Sequence, residues 1–232
     1  MSNADREALL PSMRETSLAR AEVLFEPQDQ IDTLYFPGAA CISVVVVLQD
    51  GTAVESMTIG RESAVGLLDA ISDQPTISRM FAQIGGSAIR LPARAFRRQL
   101  AESPELLRLT LEHARATSIQ SDQGVACNVA HDVRQRLARW LLMTQDRTDG
   151  ASFRLTQDYM AAMTGVQRTT VSAMAATFKR ERLIDYRRGD ITILDRRRLI
   201  ETTCECYEVI SRQFNDLKVG AKSSKPPAEG VT

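Results

Sequence analysis

The sequence has little of what marks secreted, membrane-spanning and disulfide-rich proteins. Its 232 residues include four cysteines, two histidines and one tryptophan, and aromatic residues make up 5%. Four scattered cysteines are too few for a disulfide framework. No apolar run approaches the roughly 18 residues that a membrane helix needs, and the N-terminus MSNADREALL lacks the basic and apolar regions of a signal peptide. We therefore expect a cytoplasmic protein with no membrane partner.

The net charge of the whole chain is also zero, but the charges are unevenly distributed along it. The sequence has 29 Lys and Arg against 29 Asp and Glu. Residues 1–130 contain 11 basic and 16 acidic side chains, whereas residues 131–200 contain 14 basic and 8 acidic ones. An acidic segment beside a basic one indicates two domains with different tasks, and the basic one is suited to phosphates.

Motifs of catalysis and of nucleotide binding are missing as well. The sequence contains no P-loop, dinucleotide fingerprint or nucleophile elbow. Glu55 and Glu62 lie in the first half of the chain, which is predicted below to form a barrel, and we interpret them as unpaired surface carboxylates. His113 and His131 could ligate haem in a gas sensor, but a histidine on a helix surface or in a core is far commoner. We predict neither an enzyme nor a cofactor.

The cysteines near the C-terminus give a candidate metal or redox site. Cys204 and Cys206 form a Cys-x-Cys on a predicted helix after Asp195, which would point the two thiols in different directions. With Cys127 and His131 they supply the donors of a soft metal site or a redox switch. Thiols that diverge favour structural cysteines instead, and we predict no metal.

The most informative segment is TQDYMAAMTGVQRTTVSAMAATFKRERLIDYRRGDITI, at residues 156–193. Thr156 suits a helix N-cap, and Gly165 can adopt the positive φ of a sharp turn between two helices. The apolar residues that would hold the second helix on a core recur at helical spacing: Val166, Val171, Met174 and Phe178. The segment therefore predicts a helix-turn-helix.

The residues between these apolar positions are predicted to face outward. A helix start that bears Arg, Thr and Ser fits the major groove of DNA, where such side chains reach base edges. Behind it, the alternation in IDYRRGDITI predicts a hairpin that turns at Gly189-Asp190 and presents two arginines. A helix-turn-helix is also a common plain corner, but two basic clusters on one module favour DNA binding. The residues predicted to bind DNA are Thr156, Gln167, Arg168, Thr169, Thr170, Ser172, Ala173, Lys179, Arg187 and Arg188.

The first half of the chain is predicted to form β-structure. Residues 42–48 and 52–59 predict a hairpin about Asp50-Gly51, and residues 80–84 and 88–91 predict another about Gly85-Gly86. Short strands joined by glycine turns over about 70 residues indicate a small antiparallel barrel or jelly roll.

A long helix is predicted from Ser103-Pro104 to about Asn128, after a shorter helix that begins at Pro92. Its apolar and small residues recur at steps of four and three, which is typical of a coiled-coil seam, although two serines and a break at Gly124 weaken it. An ordinary amphipathic helix that covers the barrel is the alternative. The predicted dimer interface is Leu107, Leu111, Ala114, Ser118 and Val125.

The chain resembles the Crp/Fnr family of transcription regulators over about residues 20–205. The resemblance lies in the predicted order of elements, which is a barrel, then a long helix, then a winged helix-turn-helix. The matching phrases are residues 155–194, RQRLARWLL, LYFPGAACISVVV and IGRESAVGLL. The resemblance implies an α+β fold with an N-terminal jelly roll like those that bind cyclic nucleotides, a long dimerisation helix and a C-terminal winged helix-turn-helix. The corresponding domains are 1–103, 104–130 and 131–205, followed by an extension over 206–232 whose polar, Pro-rich end from Lys218 is predicted to be disordered.

The resemblance is incomplete where family members bind a cyclic nucleotide. Their phosphate cassette has a Gly-Glu pair and an Arg-Ser pair. These positions fall near Ala64-Val65 and Thr76-Ile77 in this sequence, and the nearby Glu62 and Arg79 sit in neither phrase. An anion without its paired Arg loses a charge-assisted hydrogen bond. We therefore expect a barrel that does not bind cyclic AMP and whose effector is unknown.

The resemblance implies a homodimer that binds double-stranded DNA at an inverted-repeat operator and regulates transcription, with RNA polymerase open as a further partner. The family's base-reading positions map to Arg168, Thr169 and Ala173, so one arginine is kept and two charged contacts are missing. The operator should differ accordingly. The alternative function is a ligand-binding or protein-interaction module whose winged helix docks a protein partner.

Overall fold

The structure, a computed structural model, describes residues 1–223 and the side chains of residues 1–215. Its N-terminal part consists of α1 (Asn3–Leu9), a 3-10 turn (Leu10–Ser12), β1 (Arg14–Leu18), β2 (Val23–Phe25), β3 (Thr33–Pro37), β4 (Cys41–Val47), β5 (Ala53–Ile59), α2 (Leu67–Ser72), β6 (Arg79–Ile84), β7 (Gly86–Pro92) and α3 (Ala93–Glu102). The C-terminal part consists of α4 (Pro104–Ala130), α5 (Val133–Arg147), β8 (Ser152–Arg154), α6 (Gln157–Thr164), α7 (Arg168–Arg180), β9 (Ile184–Arg187), β10 (Asp190–Ile193), α8 (Arg196–Thr202) and α9 (Cys206–Ser223).

The first seven strands form two antiparallel sheets that share one apolar core. The strand orders are β1-β7-β3 and β2-β6-β4-β5. Leu34 and Leu91 from the first sheet and Ile42 from the second are fully buried in this core. The predicted hairpin of β4 and β5 is present, and the α+β jelly-roll architecture is confirmed.

The second predicted hairpin, between β6 and β7, is wrong. β6 pairs with β2 and β4, whereas β7 pairs with β1 and β3, so Gly85 and Gly86 carry the chain from one sheet to the other. A Cβ on Gly85 would lie 2.7 Å from the carbonyl oxygen of Leu18, and one on Gly86 would lie 2.5 Å from the amide nitrogen of Ala40. These glycines permit close backbone approach rather than a tight turn.

The long helix α4 begins where the sequence predicts it. The Ser103 side chain accepts a hydrogen bond from the Leu106 amide at 3.1 Å, and Pro104 follows at the first helical position. The predicted break at Gly124 does not occur, because the helix continues to Ala130. A single glycine costs only about 1 kcal/mol in a helix interior, which the packing of 27 residues easily offsets.

The C-terminal part has its own apolar core. α5 starts with a capping box between Asp132 and Gln135, and its residues Leu137 and Leu141 pack with Val171 and Phe178 of α7. Between α5 and α6 lies the short strand β8, which begins at Ser152 and pairs with β10 in the sheet order β8-β10-β9.

The last helix, α9, returns to the long helix. Ile210 and Phe214 are buried against Ala116 of α4 and Met143 of α5. The helix extends to Ser223, into the segment from Lys218 that was predicted to be disordered, and the rest of that segment lies outside the described residues. Within residues 1–223, no helix combines the length and the apolar character that crossing a membrane requires.

The barrel and the C-terminal domain contact each other through buried polar groups. The interpretation of Glu55 and Glu62 as unpaired surface carboxylates is wrong. Glu55 accepts a hydrogen bond from the indole of Trp140 at 2.9 Å, and Glu62 pairs with Arg147 at 2.8 Å. Phe81 and Tyr159 stack nearby, with ring centroids 5.7 Å apart. These carboxylates lie on strands or loops whose burial depends on a second domain, which local sequence patterns do not reveal.

Candidate nucleic-acid interface

The helix-turn-helix consists of α6, a turn at Gly165, and α7. Thr156 caps α6 by accepting a hydrogen bond from the Tyr159 amide at 3.3 Å. Gly165 has a φ of +64°, the left-handed conformation that glycine adopts without steric cost. Val171, Ala175 and Phe178 bury one face of α7, so the positions of the two helices follow from the apolar spacing.

The opposite face of α7 is exposed at the start of the helix. Gln167 takes the N-cap position, and within residues 1–215 no side chain caps the first amides. These unpaired N–H groups and the positive end of the helix dipole favour an anion. The exposed residues on this face are Gln167, Arg168, Thr169, Thr170 and Ala173.

Arg168 is the most prominent cation of this surface. Its side chain is 65% exposed and lies 3.3 Å from the carboxylate of Asp158, which is 67% exposed. An exposed ion pair of this kind contributes little to stability and separates easily. Arg168 is therefore held near the helix start and remains available to an external partner.

Three other predicted DNA contacts have partners inside the protein. Thr156 is occupied as an N-cap. Ser172 donates its hydroxyl toward Gln157 at 2.7 Å and the Arg168 carbonyl at 2.8 Å. Lys179 contacts the carboxylate of Asp185 at 2.7 Å and the Tyr186 carbonyl at 3.1 Å. The structure thus places these side chains beside the exposed surface, but each also stabilises the module.

The hairpin β9–β10 forms a wing with its tip shifted by one residue from the predicted turn. Arg187 pairs with Asp190 across the strands, so the two turn residues are Arg188 and Gly189, with φ of +50° and +90°. Two consecutive positive φ values are typical of a type I′ turn, which matches the twist of the strands. Arg187 and Arg188 are both exposed at this tip, as predicted.

Two features of the wing do not follow from the sequence pattern. β8 adds a third strand, and its exposed Arg154 pairs in register with Asp190. Asp185, hydrogen-bonded to Lys179, has a lowered pKa and stays ionised beside the arginines. Apolar Phe153 between polar Ser152 and Arg154 is the alternation of a strand. A segment of three residues is too short, however, for this alternation to distinguish a strand from a loop.

The barrel contains a cavity of about 190 Å³ at the position of the phosphate cassette. Its lining within the described residues includes no Lys or Arg, and its ionisable groups are Asp69 and His113. Burial raises the pKa of Asp69 and lowers the pKa of His113 to about 4, so that the histidine is neutral at pH 7. Arg79 instead pairs with Glu26 at 3.3 Å, away from the cavity.

The structure also brings together the four residues of the candidate soft-metal site. The expectation that the thiols of Cys204 and Cys206 diverge is wrong, because α8 ends at Thr202 and α9 begins at Cys206. The two cysteines therefore do not share one helix. Their sulfur atoms, that of Cys127 and a ring nitrogen of His131 lie within 4.8 Å of one another.

Comparison with known proteins matches both the local module and the whole architecture. Residues 135–202 match the Crp-like helix-turn-helix domain. FixK2 from Bradyrhizobium japonicum has a TM-score of 0.71 at 14% identity, over 83% of this chain and 98% of that one. TTHB099, a CRP-family transcriptional regulator from Thermus thermophilus, has a TM-score of 0.68 at 21% identity, over 81% and 95%. No curated protein matches the chain by sequence.

Another regulator of Thermus thermophilus, TTHA1359 of the CRP/FNR family, is similar over 82% of this chain and 97% of that one, with 21% identity and a TM-score of 0.65. These structures share the barrel, the long helix and the helix-turn-helix in the same order as this chain. Residues 135–202 are thus a Crp-like helix-turn-helix domain, and the whole chain has the fold of these solved regulators.

Proposed function

We propose that the protein binds an inverted-repeat operator as a homodimer, with one α7 in the major groove of each half-site. The observation that carries this proposal is the exposed start of α7, where Gln167, Arg168 and Thr169 stand beside uncapped amides. Arg168 reads a base, because its guanidinium can contact guanine with two hydrogen bonds. Arg187 and Arg188 on the wing contact the phosphate backbone, which positions the module without reading sequence.

The dimer is proposed from the exposed stripe of α4. Leu107 is 45% exposed, Leu111 61% and Val125 67%. The residues Leu107, Leu111, Ala114, Ser118 and Val125 follow one another at steps of four, three, four and seven, which places them on one side of a helix. An exposed apolar stripe of this kind on a helix is typical of an interface. The buried residues of α4, such as Thr117 and Gln120, point to the barrel instead.

The barrel is proposed not to bind cyclic AMP. A cyclic nucleotide brings a phosphate anion, and the cavity at the cassette position offers Asp69 and a neutral His113 instead of a cation. Buried charge without an opposite partner is strongly unfavourable. Calorimetry with millimolar cyclic AMP or cyclic GMP should therefore give no saturable heat. Saturable binding that Arg79→Ala abolishes would show that Arg79 turns into the cavity and that the barrel is a receptor after all.

Selection of bound duplexes from a random DNA pool tests the operator directly. The full-length protein should enrich an inverted repeat whose half-sites lie about one helical turn, ~34 Å, apart. Enrichment of single half-sites, or of no sequence at all, would contradict the homodimeric reading. The same duplexes can then be used to ask whether RNA polymerase binds beside the protein.

The alternative function is a winged helix that docks a protein partner. The match of residues 135–202 to the Crp-like helix-turn-helix domain does not favour this alternative.

A further inference from the structure

Three thiols and one imidazole meet at the junction of α4, α8 and α9. Cys127 lies in the last turn of α4, and His131, four residues further along, is the C-cap residue of that helix. Cys204 lies in the short connection after α8, and Cys206 is the first residue of α9. The fold thus brings two donors from each of two distant segments to one point.

The distances between the donor atoms are those of a tetrahedral metal site. Zinc with Zn–S bonds near 2.3 Å and Zn–N bonds near 2.0–2.1 Å has S···S edges of roughly 3.8 Å and S···N edges of roughly 3.5 Å. The sulfurs of Cys127 and Cys204 are 3.6 Å apart, and the Cys206 sulfur is 3.5 Å from Nδ1 of His131. All four donor atoms lie within 4.8 Å of one another, which leaves room for a single ion between them.

The groups around the donors are also those of a metal site. Nε2 of His131, the ring nitrogen that faces away from the thiols, lies 3.3 Å from the carboxylate of Glu205. A carboxylate in this place orients a ligating histidine and raises its basicity. Gln123 directs its amide to the Cys206 sulfur at 3.1 Å, a donor suited to a thiolate. All three cysteines are buried, and they form a cluster of their own, apart from the large apolar side chains of the cores.

We propose that Cys127, His131, Cys204 and Cys206 form a Cys₃His site for one zinc ion per protomer. Each thiol that ligates the ion releases its proton to solvent, and His131 binds as neutral imidazole through Nδ1. The ion links the end of α4 to the end of α8, and so links the predicted dimerisation helix to the DNA-binding domain. A disulfide between Cys127 and Cys204 needs their sulfurs at about 2.05 Å and uses neither His131 nor Cys206, so it accounts for less of this geometry.

Metal titration of the reduced, chelator-treated full-length protein tests the site. Co²⁺ is the spectroscopic probe, because thiolate ligands give it an intense charge-transfer band and tetrahedral geometry gives it strong visible bands. We expect one equivalent of Co²⁺ per protomer with both signatures, and complete displacement by one equivalent of Zn²⁺. Wild-type protein that shows neither band overturns the proposal, without recourse to any variant.

Variants then assign the ligands. Cys204→Ser and Cys206→Ser should each abolish the tetrahedral, thiolate-rich spectrum, whereas Cys41→Ser is the matched control, since Cys41 is the one cysteine outside the cluster and should keep full binding. Glu205→Gln, beyond the ligands, should weaken Zn²⁺ binding 10–100-fold without changing the stoichiometry. An unchanged spectrum in Cys204→Ser and Cys206→Ser overturns the assignment.

The redox alternative has its own readout. Protein purified without reductant should retain all four thiols in a titration under denaturing conditions, because zinc-bound thiolates are reduced. A loss of two thiols per protomer, with a mass lower by two hydrogens and no bound Zn²⁺, would show a disulfide and overturn the metal site. Thermal unfolding adds a check on the folded protein: one equivalent of Zn²⁺ should raise the midpoint of the wild type but not that of Cys206→Ser.

Discussion

The indole nitrogen of Trp140 donates a hydrogen bond to the carboxylate of Glu55 at 2.9 Å, and this bond joins α5 to strand β5 of the barrel. Glu55 also accepts hydrogen bonds from Ser43 at 2.8 Å and Thr58 at 3.0 Å. The single tryptophan of the chain is therefore packed in the apolar core of the C-terminal part and is also hydrogen-bonded to the barrel. Ser43 belongs to β4, so two strands of the barrel and the first helix of the C-terminal domain meet at Glu55.

Glu55 should make stability depend on pH near neutrality. Burial raises the pKa of Glu55 from 4.5 to about 7, so the folded protein holds a proton on it that the unfolded chain has already lost. The stabilising contribution is full below about pH 4.5 and disappears as the pH rises through 7. Glu55→Gln should flatten the fall of the unfolding free energy between pH 5 and 8, measured with denaturant. Glu15→Gln, at an exposed position of β1, should retain the wild-type slope.

The buried ion pair between Arg147 and Glu62 should be costly to break from one side. Both side chains are less than a tenth exposed, at 5% and 7%. Arg147→Met leaves an unpaired carboxylate and should lower the unfolding free energy by about 3–5 kcal/mol. Adding Glu62→Gln removes that carboxylate and should restore part of the loss, which makes the two substitutions clearly non-additive.

The exposed pair between Arg61 and Asp149, at 2.6 Å, provides the matched control for this prediction. It joins the same two regions of the chain in contact with water, so Arg61→Met should cost no more than about 1 kcal/mol. Equal losses for Arg61→Met and Arg147→Met would show that burial does not determine the strength of these pairs.

Arg168 and Arg188 should affect DNA binding in different ways. Arg168→Ala should cost about 1–3 kcal/mol at one base position of each half-site and relax the preference there. Arg188→Ala should weaken binding to all sequences alike and reduce the slope of affinity against salt concentration, because it removes a phosphate contact. Binding to a panel of single-base operator variants at several salt concentrations separates the two effects. A uniform loss with Arg168→Ala would make Arg168 a phosphate contact.

Leu111 should control assembly. Leu111→Glu places two like charges close together across a two-fold interface, so light scattering should show monomers that bind DNA weakly and with strong salt dependence. Leu194→Glu is the control, since Leu194 is comparably exposed at 55% but lies between β10 and α8, away from α4. An undisturbed dimer in Leu111→Glu would mean that this stripe of α4 is not the interface.

Local signals in the sequence were sufficient for the helix-turn-helix. The N-cap at Thr156, the glycine at 165 and the apolar spacing of Val171 and Phe178 each act within a few residues, and the structure contains them as predicted. The same holds for the start of α4 at Ser103-Pro104. Caps, turns and amphipathic faces are properties of short segments, so a sequence alone determines them well.

Pairing between distant segments was decided by the tertiary structure. Gly85-Gly86 has the composition of a hairpin turn, but the strands on either side join different sheets, because β6 pairs with β2 and β4 whereas β7 pairs with β1 and β3. Similarly, Glu55 and Glu62 have the sequence context of surface residues. Their burial depends on Trp140 and Arg147, each 85 residues further along the chain.

The sequence by itself determined the order of the elements, the helix-turn-helix and the separation of an acidic from a basic domain, because these are set by local pattern and composition. Only the tertiary structure decided which side chains meet. Cys127 and Cys204 are 77 residues apart, and nothing in the spacing of either indicates the other. Their meeting requires that α9 return along α4, a packing choice made by apolar contacts such as Phe214 with Ala116.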